Sequence, residues 1–263
     1  MNQTNTSEEK FIVAGQEKIQ SRYEDPVLAE YYISDRFSEP LWAMAHQKEV
    51  DFINAELSTK DNLSLLDLAT GPARIAADLD TTPMQKAIAA DYSKAMLDIA
   101  EKRLSSNTWN TMQVDAFDVP FEPQSFDVIT TFRFLRHYEN TDRARLYEQI
   151  SNILKPNGLL IFDVLNQGML RGNYIEKFTG AWDKSIVDIT YTWDDIVTEM
   201  EEFGFEQAKH VPILNNWQAL RSKQNELQTA KTSYDKIVDT LKQIDQIETT
   251  SNFMWITSWK KHA

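Results

Sequence analysis

The run Leu65-Leu66-Asp67-Leu68-Ala69-Thr70-Gly71-Pro72-Ala73-Arg74 constrains the fold more than any other stretch of the chain. Leu63, Leu65, Leu66 and Leu68 form a short apolar segment, the pattern of a strand covered on both faces. The segment carries an acid and enters a loop of small residues. Gly71 has access to backbone angles closed to other residues, and Ala69 and Ala73 project almost nothing. Pro72 suits the first turn of a helix, where its missing N–H is not needed, so the spacing predicts a helix over 73–80. A ligand can approach the backbone closely at the carboxyl end of this strand, and open α/β sheets bind ligands there.

Downstream, strand and helix signals alternate. Strands are predicted at 63–69, 86–91, 111–114, 126–132 and 157–165, and helices at 73–80, 93–104, 141–154 and 192–204. This alternation implies parallel βαβ units with right-handed crossovers. Gly204 ends a helix, 205–214 reads as a further strand, and Phe253-Met254-Trp255-Ile256-Thr257-Ser258-Trp259 as a last, antiparallel one. Upstream, residues 1–20 are polar and expected to be loose at their start, and 25–58 reads as helical. Ser38 is placed to cap a helix, Glu39 to sit in its first turn, and Pro40 follows. Leu220, Leu227, Ala230, Tyr234, Ile237, Leu241 and Ile244 predict a single amphipathic helix of about 30 residues over 216–247. Its apolar stripe has three possible seats: the N-terminal helices, a cover over the pocket, or a dimer seam. Insertion before the last strand favours a cover over a seam. The chain is read as one domain with an N-terminal helical arm (1–60), a core (61–214), a helical insertion (215–250) and a last strand (251–263).

Composition narrows the chemistry. Lys and Arg number 27 against 40 Asp and Glu, a net charge of −13, which argues against a nucleic-acid partner. Cysteine is absent, so there is no disulfide, thiolate metal site or cysteine nucleophile. Four scattered histidines without a His-x-x-x-His pair imply no metal. No apolar run approaches the roughly 18 residues of a membrane span, and the first ten residues lack a leader pattern, so a cytoplasmic location is expected. The oligomeric state stays open between monomer and homodimer.

Three acids follow successive strands. Asp91, in Ile88-Ala89-Ala90-Asp91-Tyr92-Ser93, comes after Asp67 at close to the roughly 20 residues seen in nucleoside-binding α/β folds. A carboxylate there accepts two hydrogen bonds from a ribose diol. Asp115, in Val114-Asp115-Ala116, is placed to accept from the exocyclic amine of an adenine. The next strand, Phe126-Asp127-Val128-Ile129, leads to Thr131-Phe132-Arg133-Phe134. Each acid alone also suits a strand end or helix cap. Their order after consecutive strands is the stronger signal.

These segments resemble the class I S-adenosylmethionine (SAM)-dependent methyltransferases. The family's hydrophobic-Leu-Asp-x-Gly-x-Gly-x-Gly motif stands here as Leu66-Asp67-Leu68-Ala69-Thr70-Gly71-Pro72-Ala73, with two of its three glycines replaced by alanine. Asp91-Tyr92-Ser93-Lys94-Ala95-Met96-Leu97 is similar to the ribose-binding segment, 114–121 to the adenine-side segment and 154–160 to the lead-in to the fifth strand. The resemblance implies a Rossmann-like, seven-stranded, mostly parallel sheet with helices on both faces. It also implies SAM as cofactor, bound by Asp67, Ala69, Thr70, Gly71, Asp91, Tyr92, Met96, Asp115, Ala116 and Phe132. Phe132-Arg133-Phe134-Leu135-Arg136-His137-Tyr138 and Tyr32-Ile33-Ser34-Asp35-Arg36-Phe37 resemble a bacterial branch acting on small molecules. The Asn-Pro-Pro-Tyr signature of planar-amine acceptors is missing, which weakens a nucleobase or amide acceptor.

The expected reaction is in-line transfer of a methyl group to the oxygen or nitrogen of a small-molecule acceptor. It needs orientation and exclusion of water, and a base if the acceptor is a hydroxyl or ammonium. By residue type His137 is the candidate base, Arg133 and Arg136 candidate binders of a substrate carboxylate, and Tyr31 and Tyr32 candidate walls of a pocket between the N-terminal arm, including Arg36 and Phe37, and the 132–138 loop. Equally, His137 is a structural histidine, the arginines pair with nearby acids and the tyrosines belong to the core. Two other functions fit less of the chain: a SAM-binding regulatory protein without transfer activity, and a nicotinamide-dependent oxidoreductase. The latter expects Gly-x-Gly-x-x-Gly after the first strand and gives Asp67 and Asp115 no role.

Overall fold

The structure, a computed structural model, describes residues 15–104, 108–169, 188–247 and 252–263. A seven-stranded sheet runs in the order β3-β2-β1-β4-β5-β7-β6. The strands are β1 (Leu63–Leu68), β2 (Met84–Asp91), β3 (Trp109–Gln113), β4 (Phe126–Thr131), β5 (Leu154–Leu165), β6 (Phe205–Ile213) and β7 (Met254–Lys261). β1 pairs in parallel with both β2 and β4, and β7 runs antiparallel to β5 and β6. The chain order therefore reverses between β1 and β4, the switch point at which such sheets open a crevice.

Alternation along each strand divides the core. Leu65, Ala89, Val128 and Ile161 face one layer, and Leu66, Ala90, Ile129 and Leu160 the other. The first layer packs on α3 (Pro40–Leu57), and the second on α5 (Asn140–Ile153) and α6 (Trp193–Glu202). α4 (Lys94–Arg103) starts at Ser93, whose hydroxyl accepts from Met96 N at 3.1 Å. Two short helices, α1 (Gln16–Tyr23) and α2 (Pro26–Arg36), precede α3.

Four expectations need correction. The helix expected at 73–80 does not form. Ala69, Gly71 and Ala73 hold φ near +57°, +57° and +55°, which winds a tight loop, and a single 3₁₀ turn at Ala76–Asp78 follows. A left-handed Ala73 cannot start a right-handed helix. The helical arm begins at Gln16, ahead of the expected 25. Ser38 does not cap α3: Glu39 is the cap residue, its side chain makes no capping bond, and Pro40 opens the helix. The first free amide of α3, Leu41 N, instead donates to Gln224 Oε1 at 2.9 Å, from the far end of the sequence.

Last, 216–247 is two helices, α7 (Trp217–Thr229) and α8 (Tyr234–Asp245). The break is a Schellman motif: Lys231 takes φ +54°, Lys231 N donates to Gln228 O and Thr232 N to Leu227 O, both at 3.0 Å. That cap usually uses glycine, and its absence hid the break. Leu220, Ile237 and Leu241 are buried in the same layer as α3, where Trp217 packs on Trp42 (5.6 Å) and Phe253 (4.3 Å). The stripe thus seats on the chain's own N-terminal helix.

Candidate functional site

At the carboxyl ends of β1, β2 and β4 lies a solvent-open cleft, where open α/β sheets bind their ligands. Its floor is local in sequence. The backbone of Ala69, Gly71 and Pro72 forms one edge, and nothing stands within 4 Å of where a side chain at Gly71 would point. Asp91 ends β2 and is pinned by two backbone amides, Gly71 N to Oδ2 at 2.7 Å and Ser93 N to Oδ1 at 2.8 Å. Burial pushes its carboxyl up to about 6, against the opposing pull of those two amides. Asp115 follows β3; its Oδ1 accepts from Phe117 N at 2.9 Å and its Oδ2 from Gln16 Nε2 on α1 at 3.2 Å. Tyr92, Met96, Val114, Ala116 and Phe117 complete an apolar slot between the two acids.

The other end is closed by Tyr23 and Tyr32 from the N-terminal helices and by Phe132, Arg133, Phe134, His137 and Tyr138. Thus Ala69, Gly71, Asp91, Tyr92, Met96, Asp115, Ala116, Phe132, Arg133, His137 and Tyr32 all line one cleft, though they come from elements far apart in sequence.

Other candidates lie elsewhere. Asp67 and Thr70 do not line the cleft. Asp67 is buried beneath the loop, accepting from Thr70 Oγ1 at 2.6 Å and Thr130 Oγ1 at 2.7 Å, so it ties the loop to β4. Desolvation pushes its carboxyl above the usual carboxylate range. Arg136 is buried between Asp163 and Asp188, each at 3.2 Å, so its charge is already matched within the fold rather than offered to a substrate. Tyr31 is 53% exposed and outside the cleft, because α2 turns it to solvent. The side chain of Arg36 lies outside the described residues. The α7–α8 pair contributes no residue to the cleft, which removes the cover reading for it.

Arg133 lines the cleft, yet its guanidinium is a packing element. It lies over Phe37 (4.9 Å) and Trp42 (5.0 Å), and its Nη2 is 3.9 Å from Glu49 Oε1. Arg74 lies over the same Phe37 at 4.6 Å and bonds Glu49 Oε2. Glu49 is fully buried, so one carboxylate of α3 bonds the β1 loop through Arg74 and stands in ion-pair contact with Arg133 of the β4 loop. Arg133 itself holds φ +58°, an unfavourable angle for a non-glycine residue, at the edge of the cleft.

Sequence reading missed Tyr23, Gln16, Glu49 and Asp188. Tyr23 and Gln16 sit in a short polar helix with no motif. Glu49 reads as an ordinary helix glutamate, and Asp188 as a loop acid. Only their spatial partners distinguish them.

Residues 65–158 match the family model of a methyltransferase domain. The demethylmenaquinone methyltransferase of Thermotoga maritima is 31% identical over 164 residues, covering 54% of this chain and 69% of that protein. The demethylmenaquinone methyltransferase of Lactococcus lactis is 35% identical over 104 residues, 38% of this chain and 40% of that protein. Among solved structures, magnesium protoporphyrin IX methyltransferase of Synechocystis with bound SAH superposes with a TM-score of 0.62 at 13% identity, covering 94% of this chain and all of that one. That last likeness is one of fold. Residues 65–158, matched by the family model, include the cleft floor.

Proposed function

The chain belongs to the class I SAM-dependent methyltransferases, and from that premise we propose that it methylates a small, flat, hydroxylated aromatic acceptor held between the N-terminal helices and the 132–138 turn. One observation carries the proposal: the cleft joins a nucleoside-type floor to an aromatic chamber with a single buried histidine. The two similar enzymes are named for demethylmenaquinone, a quinone, and the reduced form of a quinone is a flat hydroxylated aromatic.

The residues fit the cofactor. Open space over Gly71, a carboxylate at the end of β2 and another after β3 suit a ribose and an adenine, in the slot lined by Tyr92, Met96 and Ala116. SAM supplies an already activated sulfonium methyl, so the protein needs to orient, exclude water and manage one proton. Asp91 would hold the diol with the lone pairs that its two amides leave over. Tyr32, Phe132 and Phe134 present ring faces and edges to a flat acceptor. His137, 3% exposed, stands where it can take the acceptor's proton, directly or through a neighbour.

The test is calorimetric titration with SAM and its demethylated product, followed by transfer of labelled methyl to 1,4-naphthohydroquinone, catechol and a matched set of amines. SAM binding with transfer to the phenolic compounds is expected. Transfer confined to the amines would overturn the acceptor class and leave the cofactor assignment standing.

A further inference from the structure

His137 has a neighbour at each ring nitrogen, a hydroxyl within hydrogen-bond reach of Nε2 and a carboxylate in ion-pair contact with Nδ1. Nδ1 is 2.9 Å from Asp188 Oδ1, and Nε2 is 3.3 Å from the Tyr23 hydroxyl. Asp188 is itself fixed, since Arg136 Nε lies 3.2 Å from the same oxygen and Ile189 N donates to Arg136 O at 2.7 Å. Arg136 is held in turn by Asp163. Tyr23 lines the cleft beside Tyr32, their rings 6.5 Å apart and edge to face.

We propose that Tyr23 and His137 form a two-member proton relay for the acceptor, with Asp188 as the positioning residue. The inference rests on the methyltransferase reading above. The negative charge of Asp188, 2.9 Å from Nδ1, favours the imidazole proton on that nitrogen, which leaves the Nε2 lone pair to face the phenol. The acceptor's O–H bond breaks, and its proton passes to the Tyr23 oxygen while the phenol's own proton passes to Nε2. Tyr23 therefore ends neutral, and the positive charge forms on the imidazole against Asp188. The acceptor's oxygen, or the ring carbon onto which its charge delocalises, supplies the electron pair of the new bond to the methyl. The sulfur keeps the pair of the bond that breaks. If carbon is methylated, its hydrogen then returns to the oxygen. His137 releases one proton to solvent per turnover, which balances the loss of the sulfonium charge.

Direct proton abstraction by a neutral phenol is unfavourable near pH 7, because a tyrosinate forms only near pH 10. The hydroxyl is useful here as a conduit. Other titratable or charged groups around the pair are Tyr32 on α2, Tyr138 beyond His137, Arg136 beside Asp188, and Asp115 and Asp91 across the cleft. Burial holds the Tyr138 phenol well above its ordinary range, so it stays protonated.

Two measurements test the relay. In the unloaded protein, imidazole ¹⁵N shifts report the tautomer, and with only four histidines His137 is assignable by substitution. A proton on Nδ1 near pH 8 is expected, shifting toward Nε2 in Asp188→Asn. A proton on Nε2 in the wild type overturns the relay. The kinetic probe is 1,4-naphthohydroquinone. Tyr23→Phe should lower kcat by about 10²-fold with SAM affinity held within about twofold. Asp188→Asn should lower kcat and move its acidic limb to lower pH, and Asp188→Glu should restore part of both. Unchanged kcat and pH profile in Tyr23→Phe would remove that residue from the path. If no methyl reaches the probe, the acceptor class has failed, and the ¹⁵N tautomer still decides the relay.

Discussion

The two ends of the cleft are built on different principles. The floor consists of residues at the carboxyl ends of adjacent parallel strands: the loop after β1, Asp91 at the end of β2 and Asp115 after β3. Asp91 and Asp115 each accept from the amide two residues on, and Asp91 also from Gly71 N in the neighbouring loop. The end proposed for the acceptor is assembled by docking. Tyr23 meets His137 across 114 residues of sequence, and Glu49 reaches Arg74 and Arg133 from a different layer. Strand pairing sets most of the spacing of such a floor, with the Gln16–Asp115 and Asp67–Thr130 bonds as further ties. A docked wall depends on every brace that seats it.

The sharpest way to break that contrast is Glu49→Ala. It leaves two buried guanidiniums without their shared carboxylate, and a cost of about 3–5 kcal/mol is expected. Urea denaturation measures it; a loss under about 1 kcal/mol would mean that the brace does not hold the two loops. Asp91→Ala should act on the floor alone. Losing charge-assisted bonds of roughly 1.5–3 kcal/mol each lowers SAM affinity at least about 10-fold, with little change in the denaturation midpoint. Calorimetric titration decides it, and unchanged affinity would separate Asp91 from the ribose.

A smaller effect comes from pH. The ionised Asp91 carboxylate is the better acceptor for the diol, and its folded value is about 6. SAM affinity should therefore fall up to about 10-fold between pH 7.5 and pH 5. The stability term has the opposite sense. A raised carboxyl stabilises the unliganded fold most below its ordinary value, and that contribution is lost as pH rises through about 6. Weaker binding at pH 5 without weaker folding isolates the group, and affinity flat across this range would exclude it. The smallest effect is expected at Tyr31→Ala, on the solvent side of α2: a stability change within about 0.5 kcal/mol and unaltered turnover. A large loss of turnover there would extend the acceptor wall beyond the cleft.

The floor was the legible part. Periodicity located the seven strands, and the three acids marked their carboxyl ends. Even so, Asp67 and Thr70 show the limit. The sequence marks an acid beside the loop but not which way its side chain turns, and here it turns inward to Thr70 and Thr130. The two alanines in the glycine positions are instructive in the same way. Ala69 and Ala73 do adopt the left-handed angles that glycine would favour, so the loop keeps its shape at a conformational cost. The acceptor end was legible only as a list of residue types. His137 was singled out by its chemistry; Tyr23 and Asp188, which give it a direction, carry no local pattern.

By itself, the sequence determined the seven strands and most of the helices, the α/β class, the acids that follow successive strands and hence the family. Those follow from hydrophobic period and local turn chemistry, which act over a few residues. Tertiary structure decided what depends on long-range docking: the hairpin of α7 and α8 on α3, the capping of α3 by Gln224, the burial of Arg133 and Arg136, and the seating of Tyr23 against His137. The physical reason is that a buried polar group must find a partner wherever the fold brings one, and only packing determines which residue that is.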